Sequence, residues 1–257
     1  MEFVTAYKTD IGIKKATNQD ALAIKTAVIN GDRVLMAVLC DGMGGLEKGE
    51  VASKEVIDRF SFWFSNEFAS LLITNEFAYK LEEQWKNIIL EENQKIRSYG
   101  TENNVNLGTT VTVLLLIGDS YYIVHVGDSR VYEFSDCMYQ LTEDQTVVAR
   151  EINAGRLTEE QAELDPRRNI LLQCVGASEK VEPAFYQGKI KQSVVFMLCS
   201  DGLRHKCSSK EMWDYFNVEI SAHNEKMMKE NIEKLITLVK QREENDNISC
   251  ILISTIR

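Results

Sequence analysis

Two pairs of strand-length apolar runs in this chain are separated by little more than a two-residue turn signal, and that spacing fixes the kind of sheet they can make. Asn30-Gly31 stands between Ala21 to Ile29 and Arg33 to Cys40, and Gly118-Asp119 between Thr109 to Ile117 and Tyr121 to Val126. A parallel pair needs a crossover of a dozen or more residues, so each of these pairs must run antiparallel. Further strand-like runs cover Phe3 to Lys8, Arg130 to Phe134, Val194 to Cys199 and Ile248 to Ile256. Helical spacing sets in elsewhere: Val51, Val56, Phe60, Phe64 and Phe68 in one segment, Phe77, Leu81, Trp85, Ile88 and Ile89 in a second, and Ile232, Leu235, Ile236 and Val239 in a third from about Glu225 to Arg242. Hairpin strands and helices in separate blocks predict an α+β protein, most simply two packed sheets covered by helices.

A chain of 257 residues could form one large domain or two small ones. No stretch rich in Pro, Gly or Ser marks a linker and no repeat is visible, so one domain over 1–257 is expected. The longest strongly apolar segment, Val111 to Ile117, is far short of the roughly 20 residues that span a bilayer. The segment Met1-Glu2-Phe3-Val4 lacks a basic region followed by an apolar one. A soluble, cytoplasmic monomer with no membrane partner is the expectation. The six cysteines, Cys40, Cys137, Cys174, Cys199, Cys207 and Cys250, have no paired metal-ligand spacing and read as buried, reduced thiols. A net charge of -10 argues against a nucleic-acid surface and suits a basic or cation-bridged partner.

Three of the apolar runs stop on an aspartate: Val38-Leu39-Cys40 into Asp41, Val124-His125-Val126-Gly127 into Asp128, and Phe196-Met197-Leu198-Cys199-Ser200 into Asp201. Each is followed by Gly or Ser, which lets the backbone turn while the carboxylate stays at the strand tip. Asp246-Asn247 stands just before the last strand, so distant segments can deliver carboxylates to one place. Hard oxygen donors without clustered His or Cys suit Mg²⁺ or Mn²⁺ and phosphate chemistry. In Asp41-Gly42-Met43-Gly44-Gly45 the glycines allow close approach of a ligand, and the Gly42 carbonyl could bind a cation. Taken alone, Asp-Gly is more often only a turn. Gly118-Asp119-Ser120 repeats the first three residues of Gly127-Asp128-Ser129-Arg130, and the earlier copy is assigned to a hairpin.

The order and spacing of Lys15-Ala16-Thr17-Asn18-Gln19-Asp20, Asp41-Gly42-Met43-Gly44-Gly45, Gly108-Thr109-Thr110, Val126-Gly127-Asp128-Ser129-Arg130, Ser200-Asp201-Gly202-Leu203 and Asp246-Asn247-Ile248 resemble the metal-dependent protein serine/threonine phosphatases of type 2C, particularly the bacterial ones. The resemblance runs from roughly Thr9 to Ile253. It implies a central antiparallel β-sandwich flanked by helices on both sides, a four-layer α-β-β-α arrangement with a flap insertion. It also implies a pair of Mn²⁺ or Mg²⁺ ions bridging the water that attacks phosphoserine or phosphothreonine on proteins, opposing a serine/threonine kinase. By motif match Asp41 bridges the ions, the Gly42 carbonyl binds one, Asp201 and Asp246 complete the other, and Asp20 holds metal-bound waters. A third, weaker ion of bacterial relatives would fall to Asp128 with Asp201. Asp41, Asp201 and Lys15 are thus the expected catalytic residues.

The chain also departs from the family pattern. Lys15, with Lys14 beside it, replaces the usual phosphate-gripping arginine and supplies charge without the bidentate fork. Relatives carry a histidine where this chain has Met43 or Leu46, so either a metal-bound water protonates the leaving group or turnover is slow. Gln145 also replaces a histidine. The segment of about 144–169 is charged, broken at Asn153-Ala154-Gly155, and starts a short helix at Thr158-Glu159-Glu160. It resembles the flap, with Arg167 and Arg168 as candidate phosphoprotein contacts. A lid and a plain surface insertion both fit its composition. His125 reads as a core residue, His205 as a loop residue able to approach the cleft, and His223 carries no signal. Two other readings compete: a pseudophosphatase that binds phosphoproteins without turnover, suggested by Lys15 and the missing histidines, and a phosphohydrolase using an aspartyl-phosphate, which would want an acidic residue two places after Asp41.

Overall fold

In the computed structural model Ile29 pairs with Asp32 and Ile117 with Ser120, so both pairs of runs are neighbouring antiparallel strands. Gly31 and Gly118 take φ of 87° and 58°, the left-handed backbone that tight turns require. The structure describes every residue except 30, 44–47, 74, 191, 222–223 and 257. Asn30, Gly44, Gly45, Leu46, the helix start expected near Glu47, and His223 therefore lie outside the described residues.

The strands are β1 (Glu2–Asp10), β2 (Ala21–Ile29), β3 (Asp32–Cys40), β4 (Val111–Ile117), β5 (Ser120–Val126), β6 (Arg130–Phe134), β7 (Met138–Gln140), β8 (Ala184–Lys189), β9 (Val195–Cys199) and β10 (Ile248–Ile256). They form two five-stranded sheets, ordered β1-β10-β9-β6-β7 and β2-β3-β4-β5-β8, and every pairing is antiparallel. The helices are α1 (Gly49–Asn66), α2 (Phe77–Asn103), α3 (Val147–Asn153), α4 (Glu159–Leu164), α5 (Asp201–Arg204), α6 (Ser209–Phe216), α7 (Val218–Ser221) and α8 (Glu225–Gln241).

Side-chain alternation along β3 shows why the layers stack as they do. Leu35, Ala37 and Leu39 point between the sheets, where they join Leu114, Phe196, Leu198 and Ile251. Val34, Met36 and Val38 point the other way, onto Phe60 and Trp63 of α1 and Leu81 and Trp85 of α2. The second sheet does the same, its Val195, Met197 and Leu252 meeting Met212 of α6 and Ile232 and Leu235 of α8. A strand buried on both faces must be apolar throughout, as β3 is from Val34 to Cys40. The result is the expected α+β sandwich, helices outside both sheets. Leu35, fully buried between the sheets, offers a direct check: Leu35→Ala should cost about 2–5 kcal/mol of unfolding free energy in a urea titration. A loss below about 1 kcal/mol would mean the inter-sheet layer is not the tight core described.

Several details differ from expectation. Phe68 lies not in α1 but in a 3₁₀ turn, Phe68–Ile73. There it stacks on Phe64 with ring centroids 5.3 Å apart, so the helical spacing persists in space although the helix has ended. Strands β7 and β8 carry no strong pattern because they are sheet edges with half-exposed side chains. All six cysteines are free, but Cys137 is exposed in the turn between β6 and β7. The expected insertion contains α3 and α4, the latter opened by a capping box between Thr158 and Gln161. Among the described residues no helix is long and apolar enough to cross a membrane.

Candidate metal centre

Antiparallel pairing puts the start of one strand beside the end of its neighbour. Ala21 of β2 lies opposite Cys40 of β3, Val111 of β4 opposite Val126 of β5, and Cys250 of β10 opposite Cys199 of β9. Asp20, Asp41, Asp128, Asp201 and Asp246 stand just beyond those ends, and the sandwich gathers them. Burial and then the charges of Asp20, Asp201, Asp128 and Asp246 push the Asp41 carboxyl well above the usual carboxylate range.

The backbone of Asp41 is clamped by the Gly-Thr-Thr segment. Its N–H donates to Thr110 Oγ1 at 2.9 Å, and its carbonyl accepts from Thr110 N and Thr109 Oγ1, both at 2.9 Å. Gly42 N–H donates to the Gln19 carbonyl at 3.1 Å and Met43 N–H to the Gly108 carbonyl at 3.0 Å. With the main chain fixed on both sides, the Asp41 side chain has little freedom except to face the other carboxylates.

Asp20 is held from the second sheet, its Oδ2 accepting from Ser200 Oγ at 2.9 Å. Asp246 is positioned by Glu244, whose Oε1 accepts the N–H groups of Asn245 and Asp246 at 2.8 and 3.0 Å. Asn247 then ties this turn to the N-terminal loop: its Oδ1 accepts Gln19 N–H at 2.9 Å, and its Nδ2 donates to the Ile11 and Thr17 carbonyls at 2.9 and 3.2 Å. Asp201 opens α5, and Gly202 packs against Asn247 so closely that an added Cβ would lie 2.1 Å from the Asn247 carbonyl oxygen. Gly202→Ala must therefore push the Asp201 and Asp246 turns apart. We expect it to cost about 1–3 kcal/mol of stability and more than roughly tenfold in turnover, read by thermal melting and initial rates. Wild-type values for both would contradict the close approach.

Asp128 follows a glycine that no other residue could replace. Gly127 has φ 112°, and a Cβ there would sit 2.5 Å from Thr110 Cγ2. The buried His125 holds this turn. Its Nε2 lies 2.9 Å from the Gly127 carbonyl, which can only accept, so Nε2 carries the proton and Nδ1 accepts from Thr112 Oγ1 at 2.9 Å. Burial drives its pKa down to about 4, so it stays neutral, a structural residue as its strand pattern suggested. Gln145 completes the turn through a mutual pair with Gly127: Gly127 N–H donates to Oε1 at 2.9 Å and Gln145 N–H to the Gly127 carbonyl at 2.8 Å.

These carboxylates sit in an environment that penalises their charge. Asp20 is raised to about 6, chiefly by burial against the opposing pull of hydrogen bonds from Ser249 and Ser200. Burial raises Asp128 and Asp201 to about 7 each, the first aided by Asp201 and the second by Asp246 and Asp20. Asp20 Oδ1 and Asp201 Oδ1 are buried without a hydrogen-bond partner. Among the described residues no three His, Cys, Asp or Glu side chains form a ready cage around one ion. Mg²⁺ and Mn²⁺ do not need one, since a hard ion kept largely hydrated takes only one or two carboxylates. Orphaned carboxylate oxygens and mutually raised acids fit a pair of such cations.

Lys15 is brought into this cluster, its Nζ 2.7 Å from Asp246 Oδ1. Arg168 is not: it donates to the Glu163 carbonyl at 3.0 Å inside the insertion, and Arg167 pairs with Asp165 at 2.8 Å. Arg168 nevertheless helps lower the His205 pKa, after burial and the stronger effect of Arg204. His205 does reach the cleft from the turn after α5, its Nε2 3.5 Å from Asp201 Oδ2 and its Nδ1 3.8 Å from Glu244 Oε2. Glu244 and Arg204 escaped the sequence reading. Glu244 sits in a run of polar residues that looks like any loop. Arg204, adjoining the Asp201 turn, could have been flagged by its position alone.

The protein phosphatase 2C family profile matches residues 13–237. The protein phosphatase PhpP of Streptococcus pneumoniae is 32% identical over 250 residues, covering 96% of this chain and 95% of its own. Among solved structures, the serine/threonine phosphatase Stp1 of Staphylococcus aureus is similar with a TM-score of 0.84 and 27% identity, over 100% of this chain and 96% of that one. The catalytic domain of the phosphatase PstP, in complex with 2 manganese ions, is similar with a TM-score of 0.77 and 26% identity over 100% of both chains.

Proposed function

The chain belongs to the protein phosphatase 2C family and is a divalent-metal-dependent protein serine/threonine phosphatase, and we propose that it works by attack of water on the phosphorus between two cations held by its clustered aspartates. The observation that carries this reading is Asp41, whose carboxyl is raised by burial and by Asp20, Asp201, Asp128 and Asp246 together. Two divalent cations would offset that repulsion, lower the pKa of a shared water and neutralise charge on the phosphoryl oxygens. Either Mn²⁺ or Mg²⁺ suits an all-oxygen donor set.

In this reading Asp41, the Gly42 carbonyl, Asp201 and Asp246 would hold the two cations, and Asp20, fixed by Ser200, would hold water beside them. Lys15 supplies positive charge for the substrate phosphate, and its pairing with Asp246 makes it available at the cluster's edge. An ammonium binds phosphate as a point charge, so orientation must come from elsewhere. The insertion carrying Arg168 is the element we assign to recognition of the phosphorylated protein. The partners proposed are cytoplasmic phosphoproteins and an opposing serine/threonine kinase, acted on by a monomer folded as one domain over 1–257.

The test is release of phosphate from a phosphothreonine peptide by purified protein without metal, with Mg²⁺ and with Mn²⁺, alongside Asp201→Asn. Metal-dependent release that the variant loses is expected. Equal release by the variant, or release in the presence of chelator, would overturn the two-cation reading.

A further inference from the structure

The clustered acids are not compensated alike. Asp246 has Lys15 beside it, whereas the charges that act most strongly on Asp20 and Asp41 are other carboxylates. Asp128 differs from all of them, because a guanidinium is already on it. Arg204 Nη2 donates to Asp128 Oδ2 at 3.1 Å and to the Asp128 carbonyl at 3.2 Å. It also lies 3.5 Å from Asp144 Oδ2. Asp144 is in turn gripped by Arg130, Nε to Oδ1 and Nη2 to Oδ2, both at 2.7 Å. Two aspartates and two arginines thus alternate in a chain that runs from Asp128 through Arg204 and Asp144 to Arg130, and the Arg204 side chain is only 13% exposed.

From this arrangement we infer that Arg204 is a built-in cation that takes the place of a third metal ion at Asp128. The inference rests on the two-cation reading above. It departs from the resemblance, which assigned Asp128 and Asp201 to a third, weaker ion. A guanidinium stays charged at every accessible pH, so a fixed positive charge stands against Asp128 whenever its carboxyl is ionised. A dication arriving at Asp128 would have to displace the arginine or sit against it, and displacement would leave a charge buried without its partner. The arginine therefore serves as a positioning residue, fixing the Asp128 turn through its bonds to the Asp128 carboxylate and carbonyl.

Counting bound Mn²⁺ tests this without relying on turnover. The protein is equilibrated by dialysis over a range of Mn²⁺ concentrations, and bound metal is measured by elemental analysis. The native chain should hold about two ions, and Asp128→Asn should leave that number unchanged. Arg204→Ala should bind about three, and the double variant with Asp128→Asn about two again. Arg204→Lys, which keeps a charge, should stay near two. Should Arg204→Ala fail to fold, the Asp128→Asn comparison decides on the native arginine background. A native chain binding about three ions and losing one on Asp128→Asn would overturn the inference, as would a folded Arg204→Ala that gains none. A native chain that binds no Mn²⁺ would sink the two-cation reading, and this inference with it.

Discussion

Asp41→Ala is expected to lower phosphate release by roughly 10³-fold or more, the consequence of losing several kcal/mol of transition-state stabilisation by correctly held cations. The same substitution should make the metal-free protein more stable. The Asp41 backbone is fixed by Thr109 and Thr110 through its N–H and carbonyl, and those bonds survive the truncation. What disappears is a buried carboxyl whose ionisation is opposed by desolvation and by four neighbouring acids. Removing one like charge from such a group relieves the rest. Activity and metal-free stability should therefore move in opposite directions, a combination that general damage to the fold cannot produce. Rates with Mn²⁺ and melting curves in chelator measure the two halves. A variant that melts well below wild type in chelator, or turns over normally, would refute the assignment.

The aspartates could be read from the sequence because each ends or begins an apolar strand, and a strand tip is a fixed point. Which tips meet was not written locally. β10 lies between β1 and β9, and β9 between β10 and β6, pairings that join segments far apart in the chain. Only the family resemblance anticipated that Asp20 and Ser200, 180 residues apart, belong to one site, and even it did not supply their hydrogen bond. Turns were legible for the opposite reason, since Gly31, Gly118 and the Thr158 capping box act within a few residues.

What stayed hidden is the scaffolding that orients charge. Glu244 looks like one acid among several in Glu243-Glu244-Asn245-Asp246, yet it is buried and holds the Asp246 turn. Arg204 looks like an ordinary surface cation until Asp128 and Asp144 are found on it. Gln145 stands where relatives have a histidine, and nothing near it in the sequence points to a partner. It bonds both the donor and the acceptor of Gly127, so the turn is specified by an amide instead. Polar residues carry no periodicity, and their partners are set by the tertiary fold alone.

The second large effect concerns pH and metal together. In chelator the protein should lose stability as pH rises from 6.5 to 8, and Mn²⁺ should flatten that decline. Burial raises Asp128 and Asp201 to about 7 in the folded protein and pushes Asp41 well above the ordinary carboxylate value of 3.8. A raised carboxyl means that the folded state binds protons the unfolded state has already released. Stability therefore falls with pH until the folded-state pKa is passed. Below pH 6.5 the picture is mixed, because His125, at about 4, works the other way and gains stability as its unfolded counterpart loses its proton. Above that pH the unfolded imidazole is at most half protonated, so the opposing gain from His125 is smaller than the loss from the carboxylates, which decide the sign. Asp128 and Asp201 should each contribute about 1 kcal/mol across the interval, a shift in melting temperature on the order of 5 °C for a chain of this size. Cations bound to the ionised carboxylates favour the deprotonated folded state, so Mn²⁺ should raise the melting temperature more at pH 8 than at pH 6.5. A metal-free melting temperature that is level or rises over this range would mean that Lys15, Arg204 and Arg130 already balance the aspartates, and the electrostatic demand for two cations would disappear.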